Sequence, residues 1–139
     1  MIASVEIDRA GLQVLSSDEA VALLASVQVG RIGISSRALP LVLPVHYTLD
    51  RNRIVIRTHA GSTLSDATRD VVVAFEAEGP LEHSSPSWSV HVNGVATHVA
   101  DGQRLDDAAL ECLPAWSLDQ PSHVVTISID RVSGRRLVP

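Results

Sequence analysis

The sequence predicts a mainly β fold: a six-stranded antiparallel barrel, closed or split, with a few short flanking helices. Three observations lead there. From residue 29 onward the chain runs as short β-branched stretches separated by turn residues. Leu49-Asp50-Arg51-Asn52 joins two of these stretches and is rich in turn formers, which makes the pair an antiparallel hairpin. Lastly, Trp88, Val90 and Val92 alternate with Ser89, His91 and Asn93, and beyond Gly94 the apolar parity moves to Val95 and Val99. A one-residue shift swaps the faces of a strand. The expectation is therefore a bulge or sharp bend at Asn93-Gly94, the device that carries one long strand around a barrel corner.

The elements follow in order. Ser16-Ser17-Asp18-Glu19 has the form of a capping box, with Ser16 as N-cap and Glu19 three residues on. Ala20, Val21, Leu23, Leu24 and Val27 then give an apolar face at spacings of three and four, which predicts a helix over residues 17–27. Six strands are predicted at 29–35, 41–48, 53–58, 71–76, 87–99 and 124–130. Two further short helices are expected, one over about 62–69 and one over about 102–113, where Leu105, Ala109 and Cys112 share a face before Pro114. No repeat, heptad seam or linker-like stretch divides the chain, so residues 1–139 are expected to form a single domain.

Composition narrows the function. Apolar residues make up 45% of the chain, which suits a globular core and excludes a disordered or fibrous class. A net charge of −5 disfavours a phosphate backbone as partner, since nucleic-acid affinity rests on Lys and Arg. The single cysteine cannot form an internal disulfide, and the first residues lack a secretory pattern, so a reducing cytoplasm is the expected setting. No apolar run approaches the ~20 residues a membrane helix needs. All eleven basic residues are arginine. Any anion must therefore be held by Arg, hydroxyls or backbone amides.

The segment from Ile54 to Thr63 runs from a strand through Ala60-Gly61 into a helix start, a place where unpaired amides favour anions. Arg57 adds a bidentate donor there, and Thr58, Ser62 and Thr63 add hydroxyls. The alternative is that Ser62 is only an N-cap and Arg57 only a solvated charge on the barrel rim. No dinucleotide or P-loop glycine fingerprint accompanies the segment. The histidines show no i, i+4 helical pair and no CxxC companion, so no metal site is expected. Cys112 reads as core, and no nucleophile elbow is present. With only four aromatic residues in the chain, Trp88 and Trp116 are either core plugs or anchors of a pocket or interface.

Leu23-Leu24 before Val29-Gly30-Arg31-Ile32, Leu41-Val42-Leu43-Pro44-Val45-His46-Tyr47, Ile54-Val55-Ile56-Arg57-Thr58 with Gly61-Ser62-Thr63-Leu64, and Val71-Val72-Val73-Ala74-Phe75-Glu76 resemble the flavin-binding split barrels. So do Trp88 to Ala96 and the closing stretch from Ile127 to Arg136. Within that superfamily the chain is most similar to the pyridoxamine 5′-phosphate oxidase-like proteins that include nitroimidazole reductases. The resemblance implies a split barrel binding FMN, or less often a deazaflavin or heme, in a groove between two subunits of a homodimer. It places Arg57, Thr58, Ser62 and Thr63 near the FMN phosphate and Val45 and His46 along the isoalloxazine. Trp88 and Trp116 would line the pocket from the partner subunit.

One departure matters: many such proteins have a lysine directly after the Gly-Ser of this loop, and here Thr63 stands there. Charge-assisted bonds contribute roughly 1.5–3 kcal/mol where neutral ones give about 1, so FMN binding would weaken about tenfold. Arg69 is a candidate to compensate. The resulting expectation is an FMN-dependent oxidoreductase that reduces a small organic substrate. Its rival is a non-catalytic binding protein that has kept the barrel and lost tight flavin binding.

Overall fold

A computed structural model describes residues 4–80, 87–99, 105, 110, 113 and 122–138. In chain order the elements are β1 (Gln13–Val14), α1 (Ser17–Leu24), β2 (Val29–Ser36), β3 (Leu39–His46), β4 (Thr48–Asp50), β5 (Arg53–His59), α2 (Thr63–Asp66), β6 (Val71–Gly79), β7 (Trp88–His98), β8 (Ser122–Ser128) and β9 (Arg131–Arg136). The strands form one antiparallel sheet in the order β3-β2-β6-β7-β8-β5-β4, with β9 paired to β7 and β1 to β9. Its two ends, β3 and β4, are consecutive in the chain and meet at Tyr47. The sheet therefore curls back on itself, and β3 pairs with β2 while β4 pairs with β5. This is the mainly β split barrel that the sequence predicts.

The described strands number nine where six were expected, for local reasons. Tyr47 divides the predicted strand 41–48 into two pieces with different partners. β9, with the sequence Arg-Val-Ser-Gly-Arg-Arg, lacks the β-branched alternation that marks a strand, and takes its conformation from pairing with β7. The expected hairpin is present. Asp50 faces Arg53 across a two-residue turn in which Arg51 and Asn52 have φ of 51° and 63°, the signature of a type I′ turn. A second such turn, Arg37-Ala38 at φ 50° and 64°, joins β2 to β3.

The capping box of α1 forms as read: Ser16 Oγ accepts from the Glu19 amide at 3.2 Å, and Glu19 Oε1 accepts from the Ser16 amide at 3.3 Å. The helix stops at Leu24, three residues short of expectation. Past its end the Ser26 hydroxyl donates to the Leu23 carbonyl at 2.6 Å, satisfying a terminal acceptor without further helix. Ala20 and Leu24 are buried against the barrel. Tyr47 locks the closure: its hydroxyl donates to the Leu24 carbonyl, and its ring meets Phe75 edge-on at 4.8 Å. Burial raises its pKa well above the usual phenol range.

The parity reading of β7 is corrected. Trp88, Val90, Val92, Gly94 and Ala96 are all buried and Val95 is exposed, so no face swap occurs. The β6 ladder also runs unbroken from Val71 opposite Ala96 to Gly79 opposite Trp88. Gly94 and Ala96 carry too little side chain to reveal their inward position, and Val95 is an apolar residue facing out. The bend lies in the neighbouring chain. Asn93 faces Arg131 and Ala96 faces Ile127, so Ser128, Ile129 and Asp130 stand opposite only Gly94 and Val95. That extra residue is a β-bulge, and there β7 exchanges β9 for β8 as its neighbour.

The core joins Ile32, Ile54, Ile56, Phe75, Val92 and Ile127 inside the barrel. The predicted helix over 102–113 lies largely outside the described residues, as do Cys112 and Trp116. No helix among the described residues is long and apolar enough to cross a membrane.

Candidate functional site

Side chains alternate along a strand. On β5 this sends Ile54, Ile56 and Thr58 into the barrel and puts Val55, Arg57 and His59 on the other face. Beyond His59 the chain turns through Gly61, whose φ of +79° is the left-handed conformation that glycine tolerates best. Ser62 then caps α2. Its hydroxyl accepts from the Ser65 amide at 3.0 Å and donates to the His59 carbonyl at 2.7 Å. The Ser62 amide also bonds that carbonyl, at 3.1 Å.

Arg57 is only partly exposed, and its Nη2 donates to the Leu110 carbonyl at 3.1 Å. Its Nε is buried without a hydrogen-bond partner among the described residues, and the same holds for His59 Nδ1. A buried polar group left unpaired costs about 1–3 kcal/mol. Ser65 Oγ and His98 Nδ1 are buried and unpaired too, and of the four such atoms among the described residues Arg57 Nε and His59 Nδ1 are the pair that share one strand face, at i and i+2. Thr63, at the start of α2, is exposed. This is not the solvated rim charge that the alternative reading of Arg57 required. Ser62 serves as an N-cap, its hydroxyl donating one bond and accepting one.

On the opposite face of the same corner α2 plugs the barrel end. Ser65 and Thr68 are fully buried, and Thr58 is 3% exposed with its Oγ1 donating to the His123 carbonyl at 3.5 Å. His98 Nε2 lies 2.9 Å from the Ser65 carbonyl and 3.3 Å from Thr68 Oγ1, and its ring stands 5.1 Å from that of His123. Burial lowers the pKa of His98, and Arg69 and His123 push it the same way, while its bond to Ser65 opposes them. This polar layer ties α2 to β7 and so fixes the corner that carries Arg57 and His59.

The structure thus separates residues that the sequence grouped. Arg57 lies on the outer face of β5 and Thr63 is exposed at the start of α2, whereas Thr58 faces into the barrel. The Val45 side chain belongs to the core, 7% exposed, so only its backbone can border a groove. His46, next to it, is exposed at the end of β3. Trp88 is a core plug, 6% exposed, close to Val27 and Gly79. It begins the strand that ends at His98, about 30 Å away at the usual rise per residue. Sequence reasoning missed His59, although the period-2 rule pairs it with Arg57. Among the described residues no group of three or more His, Cys, Asp or Glu is placed to hold a metal.

A second surface lies on the outside of β3-β2-β6-β7. Val42, Val72 and Val95 are 68%, 73% and 37% exposed, and Gly33 and Ala74 lie between them in register. A shallow cleft of ≈ 320 Å³ opens there, with Arg31, Glu76, His91 and Asn93 on its polar side. Arg31 bonds Glu76 and Glu78 across the strands at 3.1 and 3.2 Å. Exposed apolar residues also fill the end of β3, at Leu39 and Leu41.

Residues 16–136 match the family described as pyridoxamine 5′-phosphate oxidase. The chain belongs to that family. An uncharacterised protein of Mycobacterium tuberculosis is 36% identical over 129 residues, which cover 89% of this chain and 84% of that protein. Among solved structures, an FAD-binding protein from Mycobacterium smegmatis superposes with a TM-score of 0.69 at 27% identity, covering 91% of this chain and 99% of its own. A conserved protein of unknown function from Corynebacterium diphtheriae gives 0.74 at 27% identity, over 91% and 98% of the two chains. The pyridoxamine 5′-phosphate oxidase family thus accounts for nearly all of the described barrel, including both faces of the β5–α2 corner.

Proposed function

We propose that this member of the pyridoxamine 5′-phosphate oxidase family is a flavin-binding oxidoreductase that holds its cofactor, FMN, by the phosphate at the β5–α2 corner. The observation that carries the reading is Arg57: a partly buried guanidinium with Nε unpaired, facing no carboxylate among the described residues. Such a donor suits a phosphate, whose oxygens accept several charge-assisted bonds. The FAD-binding relative from Mycobacterium smegmatis supports a flavin as the phosphate's bearer. When bound, a flavin supplies electron and hydride transfer that side chains cannot perform. The chain's own part is to bind and orient: Arg57 and Thr63 at the phosphate, His46 on β3 towards the ring system, with a small organic acceptor as substrate.

The apolar outer face of β3-β2-β6-β7 supports a homodimer with the cofactor at the subunit boundary. Contiguous exposed valines flanking Gly33 and Ala74 are more apolar than a solvated face needs to be. A specific observation also favours the rival, a non-catalytic binding protein. Thr63 supplies no charge, and the Leu110 carbonyl already occupies one nitrogen of Arg57.

The test is a fluorescence-quench titration of the purified protein with FMN, FAD and riboflavin, repeated on Arg57→Ala. The proposal expects FMN to bind more tightly than riboflavin, and Arg57→Ala to weaken FMN by about tenfold or more while leaving riboflavin nearly unchanged. Equal losses for both ligands would make Arg57 structural and move the phosphate elsewhere. A protein that binds none of the three would leave the rival reading.

A further inference from the structure

We infer that His59 is the second side-chain donor of the anion site, bonding a phosphate oxygen through Nδ1 where Thr63 offers only a hydroxyl. This rests on the reading of the β5–α2 corner as a phosphate site. Arg57 and His59 stand two residues apart on one face of β5, so their Cα atoms lie about 6.5–7 Å from each other and both side chains leave the strand in one direction. Each carries a nitrogen that is buried and has no partner among the described residues. Thr58, between them, is turned the other way into the polar plug. Buried polar groups are nearly always paired in folded proteins; Ser65 Oγ and His98 Nδ1, on the inner side of the corner, are unpaired as well, and Arg57 Nε and His59 Nδ1 are the two that share one strand face, where a single acceptor with more than one oxygen serves both.

The neighbouring groups cannot fill that role or replace these donors. Ser62 spends its amide and hydroxyl on the His59 carbonyl and the α2 cap. The salt bridges among the described residues involve Arg31, Arg53 and Arg135, and none brings a carboxylate to this corner. The two bonds made to the His59 carbonyl hold its backbone, so the imidazole is presented on a fixed base. An imidazole with its hydrogen on Nδ1 donates whether or not the ring is charged. His59 thus provides the contact that a lysine after Gly61-Ser62 would make, from the strand side of the loop instead of the helix side.

The experiment uses the full chain, titrated with FMN and riboflavin by fluorescence quenching, for wild type, Arg57→Ala, His59→Ala and His59→Asn. Melting curves verify that each variant is folded. The inference expects His59→Ala to weaken FMN about tenfold with riboflavin within about twofold, as loss of one charge-assisted bond should. His59→Asn should recover most of the affinity, since its amide nitrogen sits near the position of Nδ1. A further readout avoids substitution: on adding FMN, but not riboflavin, the His59 Nδ1 resonance should shift in nitrogen-15 NMR. If His59→Ala leaves FMN unchanged or weakens both ligands alike, while Arg57→Ala still discriminates between them, the inference falls and the phosphate site stands. If neither variant discriminates, the site itself is wrong, and the inference falls with it.

Discussion

The Ser128 carbonyl occupies the space that a β-carbon on Gly94 would need: an ideal Cβ there would lie 1.5 Å from that oxygen. The approach is set by the bulge, where Ser128 Oγ accepts from the Val95 amide at 2.9 Å and the Asp130 amide donates to the Asn93 carbonyl at 3.1 Å. Gly94 is required by backbone proximity, not by an unusual dihedral. Replacing it with alanine, the smallest change, should already destabilise the protein, and valine should do so more severely. A loss above ~3 kcal/mol in urea unfolding is expected for valine, in the range of strained or overpacked sites. Wild-type stability in Gly94→Ala would mean that the bulge can move.

Tyr47 offers a second stability test. Removing its hydroxyl in Tyr47→Phe leaves the Leu24 carbonyl at the end of α1 without that donor, while the edge contact with Phe75 survives. A loss of about 1–3 kcal/mol is expected. Thermal melts of the two proteins at one pH provide the comparison.

The pH dependence of stability should carry a contribution from His98. Its folded pKa is lowered, first by burial and then by Arg69 and His123, from the ordinary histidine value of about 6.5. The unfolded chain therefore takes up this proton first as pH falls. Stability is unaffected by His98 above that value, and declines from about 6.5 downward until the folded pKa is passed. The groups around the ring are Ser65 on α2, Thr68, Arg69 and Asp70 just beyond it, and His123 on β8. The melting temperature of His98→Gln should fall less steeply than that of wild type between pH 7 and 5. Parallel curves would remove His98 from the account.

The outer sheet face can be tested by placing charge on it. Val42→Asp and Val72→Asp each put a carboxylate among exposed apolar side chains that are not needed for the barrel core. If that face joins two copies, sedimentation should show wild-type dimers and variant monomers of unchanged secondary structure. A wild-type monomer at micromolar concentration would refute the dimer.

Thr63→Lys probes the site from the opposite direction to a deletion. Thr63 is exposed at the start of α2, so a longer side chain meets no packing obstacle there. A cation added at this point should tighten FMN by about three- to tenfold and leave riboflavin unaffected, in keeping with the usual gain from a charge-assisted bond. Titration of both ligands decides it.

Much of the barrel was legible because its signals are local. The capping box at Ser16 and Glu19, the turn at Arg51-Asn52 and the β-branched runs of β2, β5 and β6 act over a few residues, and each is found where the sequence puts it. The Arg57 corner was legible as well, since a strand followed by Gly61 and a capping serine is itself a local pattern. Other features depended on partners distant in the chain. β9 is a strand because β7 lies beside it, and Tyr47 breaks a strand because β2 and β5 claim its two halves. The sequence alone determined the class of fold and the strand–Gly61–Ser62 corner that carries Arg57. Only the tertiary structure decided which side chains share that place. Thr58, buried against His123, turned away, and His59, two residues beyond Arg57 on the same face, turned towards it.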